Sequence, residues 1–251
     1  MEQEFYNRGL EKALQGDFNG AIQEFDQALQ INPQFAEAYY KRGVARFDLG
    51  DKQGAIEDYT QALTLNPQSM GTYLGRGLAR LALGDAQGAV EDTKQALTID
   101  PNHAPVFNLQ GAAYRRLGNN QSAIASFKKA AQLYLEQKDA ENCRRCLESI
   151  HQIQASQLRT TRAAETEVFL NQALTKFNRG DYRGALSDFN WLLQIDPNDA
   201  KAYCYRGMIR GKLGDRQGAM QDLGQAMQLN PNDLQLLNHR GLVRIELEDY
   251  R

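Results

Sequence analysis

Apolar residues recur along this chain at spacings of three and four, in segments separated by short polar stretches built from glycine, aspartate, asparagine and proline. AEAYYKRGVARFDLG (36–50) followed by DKQGAIEDYTQALTLNP (51–67) shows the pattern. Each segment gathers its apolar side chains on one helical face, so the two together predict a helical hairpin. Gly50 suits a left-handed turn closing the first helix, and Asp51 suits the cap on the orphan N–H groups of the second. Pro67 ends the second helix, because it has no N–H to continue the ladder. Gly43 and the small Ala55 let the two helices approach closely, and Ala62 does the same towards the next hairpin.

The hairpin recurs. Pro33, Pro67 and Pro101 are 34 residues apart, as are Pro197 and Pro231. Glycines keep the same step, as Gly9, Gly43, Gly77 and Gly111 and again as Gly207 and Gly241. One hairpin cannot bury its apolar face alone and must stack on its neighbours, so the expected fold is all-α, a solenoid of 34-residue helix–turn–helix repeats.

In repeat two, Tyr39, Gly43, Ala55, Tyr59, Ala62 and Pro67 fall where the tetratricopeptide repeat has an early aromatic, a small eighth residue, alanine at the twentieth, an aromatic at the twenty-fourth, alanine at the twenty-seventh and proline at the thirty-second. The chain resembles that family, in a style similar to many bacterial members, over 2–135 as four repeats, 166–233 as two, and 234–251 as the first helix of a seventh. Thr93 and Leu223 depart from the usual aromatic, Leu192 from alanine and Leu135 from proline. The resemblance implies a right-handed superhelix whose concave surface is lined by the first helix of each repeat and holds partner proteins.

Pro101 and Pro197 are 96 residues apart, two periods plus 28, which places an insertion between the arrays. The expected organisation is a first array at 1–137, a helical insertion at 138–165, and a second array at 166–251 with two full repeats and the first helix of a third. Cys143, Leu147, Ile150, Ile153 and Leu158 give the insertion an amphipathic pattern. It fits either a cap on the first four repeats or an irregular unit in one continuous superhelix. The last segment, with Leu234, Leu237, Leu242, Val243 and Ile245, fits a cap, a contact with a second copy of the chain, or the start of a longer protein.

Adjacent helical residues point about 100° apart, so the pairs Phe5-Tyr6, Tyr39-Tyr40, Tyr73-Leu74, Phe107-Asn108, Phe169-Leu170 and Tyr203-Cys204 cannot both face one way. The first members are always aromatic and are assigned to the core; the second members vary and are assigned to the groove. One turn later the groove face adds Leu10, Val44, Leu78, Ala112, Leu174 and Met208. The candidate partner-binding residues are therefore Tyr6, Leu10, Tyr40, Val44, Phe47, Leu74, Leu78, Asn108 and Arg115 in the first array, with Met208 and Lys212 in the second. An apolar row ending near Arg115 and Arg116 suits an apolar protein or peptide segment with an acidic end. Relatives that bind acidic chaperone tails use lysines and asparagines on these faces, where this chain has Tyr6, Leu10, Tyr40 and Val44. The second array is more polar there, with Asn171, Lys201, Lys212, Asn238 and His239.

First helices also carry basic pairs four apart: Arg8/Lys12, Arg42/Arg46, Arg76/Arg80, Arg206/Arg210 and Arg240/Arg244. A phosphate ladder is one reading. However, hairpins with the pair also have Glu24, Asp58, Asp92 or Asp222 on the second helix, whereas repeat four has Gln110, Tyr114 and Ser126. Cation and acid disappear together, which predicts that they meet across the hairpin. Repeat five is intermediate, with Gln172, Lys176 and Asp188.

Charge and composition narrow the chemistry. Lys and Arg total 29 against 31 Asp and Glu, leaving a net charge of −2 and no basic field for nucleic acid. The acidic start Met1-Glu2-Gln3-Glu4 and the lack of a long apolar run predict no membrane insertion and a cytoplasmic protein. An odd count of three cysteines fits a reducing compartment. Cys143-Arg-Arg-Cys146 lacks the further ligands of a zinc site, and His103, His151 and His239 are scattered. No phosphate-loop motif is present. The expectation is an interaction scaffold or assembly factor, no enzyme, with no cofactor or metal. The alternatives are the recognition arm of a longer enzyme and an RNA-binding helical repeat.

Overall fold

The computed structural model of the chain describes residues 1–232, and the segment 233–251, with the Arg240/Arg244 pair, Asn238, His239 and the last segment that fits a cap, a contact with a second copy or the start of a longer protein, lies outside them. Among the described residues there are twelve helices and no strand. α1 (Glu2–Leu14), α2 (Phe18–Ile31), α3 (Ala36–Asp48), α4 (Lys52–Leu65), α5 (Met70–Ala82), α6 (Ala86–Ile99), α7 (Ala104–Arg116) and α8 (Asn120–Glu136) form four hairpins. α9 (Ala140–Asn178), α10 (Tyr182–Ile195), α11 (Ala200–Lys212) and α12 (Arg216–Leu229) follow. Two compact units result, Met1–Ala155 and Ser156–Arg251.

Each hairpin turn is built from its own residues. Gly50 adopts φ +92°, and its counterparts Gly16, Gly84, Gly118, Gly180 and Gly214 are also left-handed, where a Cβ would be strained. Oδ1 of Asp51 accepts a hydrogen bond from the Gly54 N–H at 2.9 Å, and Asp17, Asp85, Asp181 and Asp215 cap their helices in the same way.

In the first unit, α1 packs on α2, α2 on α3, and so on in chain order, as stacked repeats must. Tyr59, buried on α4, sits between two glycines. A Cβ on Gly43 of α3 would lie 2.9 Å from its ring, and one on Gly75 of α5 also 2.9 Å. The paired approach of α3 and α5 to one aromatic ring is the reason glycine stands at both positions.

The fourth hairpin ends differently. Lys138 is left-handed at φ 62°, in the place a glycine takes in the other turns, and Asp139 Oδ1 then accepts from the Asn142 N–H at 3.0 Å. The turn that elsewhere joins helices within a repeat here joins α8 to α9. Cys146, Ile150 and Ile153 of α9 are buried with Ala123, Phe127, Ala130, Leu133 and Tyr134. Cys143 packs against that cluster, but Leu147 and Leu158 are exposed, contrary to the stripe expected for the insertion. Positions 143, 146, 150 and 153 form the stripe that meets α8, and Leu147 lies about 100° round the helix from Cys146. Replacing Lys138 with glycine is expected to raise the stability of this unit by about 1 kcal/mol, since an L side chain resists the left-handed region. Chemical denaturation of the two proteins measures the difference.

In the second unit, Ala173, Ala185, Phe189, Leu192, Leu193, Ala202 and Ile209 form one buried cluster, and Cys204, Ala219, Leu223 and Ala226 a second. Leu192 is buried in the place of the usual alanine, and Leu223 in that of the usual aromatic, so the departures seen in the sequence are absorbed by packing.

Candidate protein-binding groove

Among the described residues, the basic pairs on the first helices are internal braces. Arg42 Nε donates to Asp58 Oδ2 at 2.9 Å while its Nη2 meets Oδ1, and Arg46 adds a third contact to Asp58 at 3.1 Å. Arg76 and Arg80 hold Asp92 at 2.7 and 3.0 Å; Arg206 and Arg210 hold Asp222 at 2.6 and 2.9 Å. Glu24 meets Arg8 and Lys12, and the Lys12 hydrogen bond leads the effects that hold its carboxyl below the usual range. Burial alone would lower the Arg42 pKa, but the hydrogen bonds and charge of Asp58 and Asp26 outweigh it and raise the net value. In repeat four a neutral chain replaces the ions: Ser126 Oγ donates to Gln110 Oε1 at 2.9 Å, and Gln110 Nε2 donates to Thr93 Oγ1 at 3.3 Å.

The braces also reach backwards. Arg42 Nη1 donates to Asp26 Oδ1 at 2.6 Å, Arg76 Nη1 to Thr60 Oγ1 at 3.2 Å, and Arg206 Nη1 to Asn190 Oδ1 at 3.0 Å. Each acceptor lies 16 residues earlier, on the second helix of the preceding hairpin. One guanidinium thus ties two repeats, a link that comparing positions within a hairpin did not reveal.

The predicted groove residues fall into separate groups. Tyr6 is half-buried, with its ring 4.9 Å from Phe35 and 5.9 Å from Phe25. Its hydroxyl pKa is raised, by burial first and then by Glu37 and Tyr40. Tyr40, Val44 and Phe47 pack together against Ala55, Tyr59 and Ala79. The Lys52 ammonium sits 3.5 Å from the Phe47 ring centroid, covering one face of a ring that the sequence left open. Leu10 and Leu74 are half-buried and Leu78 is exposed. In the second unit Met208 lies against the Cys204 cluster, and Lys212 is at the surface.

Two predicted residues come together. Asn108 and Arg115 line one open cavity of about 580 Å³ with Leu81, Ala112, Arg116 and Ser149. Arg115 Nη1 donates to Gln152 Oε1 at 3.2 Å, and the Cys146 thiol donates to Asn108 Oδ1 at 3.6 Å, so α9 forms one wall. Neither arginine meets a carboxylate among the described residues. The contributions of Ser149 and Gln152 were not legible, because they depend on how α9 lies against α7.

The division of each pair into a core member and a groove member needs correction. Phe5, Tyr39, Tyr73, Phe107 and Tyr203 are only half-buried, Phe169 is exposed, and the second member Cys204 is 1% exposed. A first helix touches its own second helix and also the hairpins on either side, so positions about 100° apart can both be partly covered. Burial, then Cys143, pushes the Cys146 thiol up to about 11, which leaves it protonated and poorly reactive at neutral pH.

No helix among the described residues is long and apolar enough to cross a membrane. Family models described as TPR repeat and Tetratricopeptide repeat match residues 9–50 and 36–69, and a further Tetratricopeptide repeat model matches 74–138 and 170–250. No curated protein matches the chain by sequence. Among solved structures, MamA 41-end from Desulfovibrio magneticus RS-1 is 15% identical, with 93% of this chain and 97% of that one covered and a TM-score of 0.51. Another MamA structure is 18% identical, with 92% of each chain covered and a TM-score of 0.50. TTC0263, a thermophilic TPR protein in Thermus thermophilus, is 22% identical over 83% of this chain and 98% of that one, with a TM-score of 0.49. The two MamA likenesses concern the fold, and a Tetratricopeptide repeat model covers more than half of the sequence: the chain belongs to the tetratricopeptide repeat family, whose repeats serve in general as protein-interaction scaffolds.

Proposed function

We propose that the chain is a scaffold or assembly factor whose first unit holds a segment of a partner protein, with apolar side chains along Tyr40, Leu74 and Leu78 and an acidic end at Arg115 and Arg116. The observation that carries this reading is the 580 Å³ cavity, where Leu81, Asn108 and Ala112 adjoin two arginines that lack a carboxylate partner among the described residues. Arg42, Arg76 and Arg206 are spent on internal braces; Arg115 and Arg116 are not. A partner carboxylate would meet a preplaced guanidinium, since Gln152 already orients Arg115. In this reading the helical insertion at 138–165 caps the first array and borders its groove. The same reading places the protein in the cytoplasm, where Cys143, Cys146 and Cys204 remain thiols. It assigns no catalysis and no cofactor.

Tyr40 is a poor probe, because its ring packs 6.0 Å from that of Tyr59 and a charge there threatens the fold. Arg115→Glu/Arg116→Glu and the exposed Leu78→Glu test the groove without touching the core. Selection of a displayed random peptide library on the wild-type protein is expected to enrich aliphatic residues followed by Asp or Glu. The double arginine variant should reduce that enrichment about tenfold, as like charges then face each other. Enrichment that survives both variants, with circular dichroism unchanged, would place the partner elsewhere.

A further inference from the structure

Four first helices set an arginine over the aromatic ring three residues before it: Arg8 over Phe5 at 4.5 Å, Arg42 over Tyr39 at 5.4 Å, Arg76 over Tyr73 at 5.7 Å and Arg206 over Tyr203 at 5.2 Å. Each of these arginines also holds the carboxylate of its own hairpin. The hairpin made by the end of α9 and α10 keeps the ring, Phe169, and the carboxylate, Asp188, but has Gln172 where the arginine belongs. Asp188 meets one cation among the described residues, Lys176 at 2.7 Å, where Asp58, Asp92 and Asp222 each meet two.

Loss of the arginine does not by itself leave such a gap. Repeat four lost arginine and acid together and closed the space with Gln110 and Ser126. Here the receiving half survived, and a second aromatic was added: Trp191 stands where other hairpins have Gln27, Gln61, Gln95 and Gln225. Its ring centroid is 4.0 Å from that of Phe169, and the two residues are 36% and 38% exposed. Accessible aromatic faces beside a carboxylate with one cation fewer than its counterparts suit a planar guanidinium, which stacks on rings and pairs with carboxylates.

We infer that Phe169, Trp191 and Asp188 form a second binding site, distinct from the groove of the first unit, which receives an arginine side chain presented by a partner protein. Gln172 keeps the site open by withholding the internal arginine that fills the equivalent place elsewhere.

Trp191 is the sole tryptophan, so its emission reports this site directly. Titration of the whole chain with acetyl-Ala-Arg-Ala-amide should give a saturable change in emission, and acetyl-Ala-Gln-Ala-amide should not. Gln172→Arg supplies the missing cation from within; it should raise the melting temperature and weaken the peptide response at least about tenfold. Asp188→Asn should weaken the response while leaving the tryptophan in place, and it serves as the deciding variant if Gln172→Arg folds poorly. No saturable response in the wild type, or a response undiminished in both variants, overturns the site.

Discussion

Replacing Asp58 with asparagine is expected to cost the first unit about 3–5 kcal/mol, because it removes the buried carboxylate shared by Arg42 and Arg46 and leaves Arg42 only the more exposed Asp26. The Asp58 side chain is 3% exposed and that of Arg42 15%, so water cannot take over the lost interactions. For a partly exposed pair only about 0–1 kcal/mol would apply. Burial is what changes the magnitude. In a unit of this size the melting temperature should fall by roughly 6–20 °C. Repeat four supplies the control, since Gln110 and Ser126 span the same gap without charge. Combining Arg42→Gln with Asp58→Ser should therefore cost less than the sum of the two single changes, with a coupling of about 1–3 kcal/mol. Additive melting shifts would mean that the two residues do not brace the hairpin.

The backward contacts add a second consequence. Stacked repeats gain stability from each hairpin and from each interface between hairpins. Arg42, through Asp58 and Asp26, belongs to both kinds at once. A change at Arg42 should thus loosen the interface between repeats one and two as well as its own hairpin, whereas a change at Arg46, bound to Asp58 and near Asp51, should remain within one.

Much of this architecture was legible in sequence because it depends on local rules repeated at one step. The left-handed Gly50, the Asp51 cap and the end of α4 before Pro67 are each fixed by residues close in the chain. The pairing of Arg42 with Asp58 was legible for another reason: four copies kept an arginine and a carboxylate, and repeat four lost both. What escaped depends on how side chains pack between helices. No local rule shows that Lys52 covers Phe47, that Tyr6 wedges between Phe25 and Phe35, or that Ser149 lines the cavity beside Arg115. Lys138 hid the turn before α9 because the glycine lattice breaks there, and only the following aspartate retained the pattern. Of the predicted groove, Asn108 and Arg115 share a cavity, while the tyrosines are largely engaged by their neighbours.

Tyr59 carries the other large expected effect, because one ring fills the space between α3 and α5. Truncation to alanine should cost about 3–5 kcal/mol, the range for removing a buried aromatic side chain. The glycines beside it turn this into a sharper test. In the wild-type protein Gly75→Ala gains helix propensity, worth about 1 kcal/mol, but its new methyl would lie 2.9 Å from the Tyr59 ring. Overpacking of that kind costs about 1–3 kcal/mol, and Gly43 already lies close to the same ring, so it has little room to retreat. The net change should be destabilising. In a Tyr59→Ala background the obstruction is gone, the propensity gain remains, and the methyl partly fills the cavity, so the same Gly75→Ala change should stabilise. Denaturant unfolding of the four proteins measures this reversal of sign. If Gly75→Ala has the same effect in both backgrounds, the close approach of α5 to Tyr59 is not what requires glycine at that position.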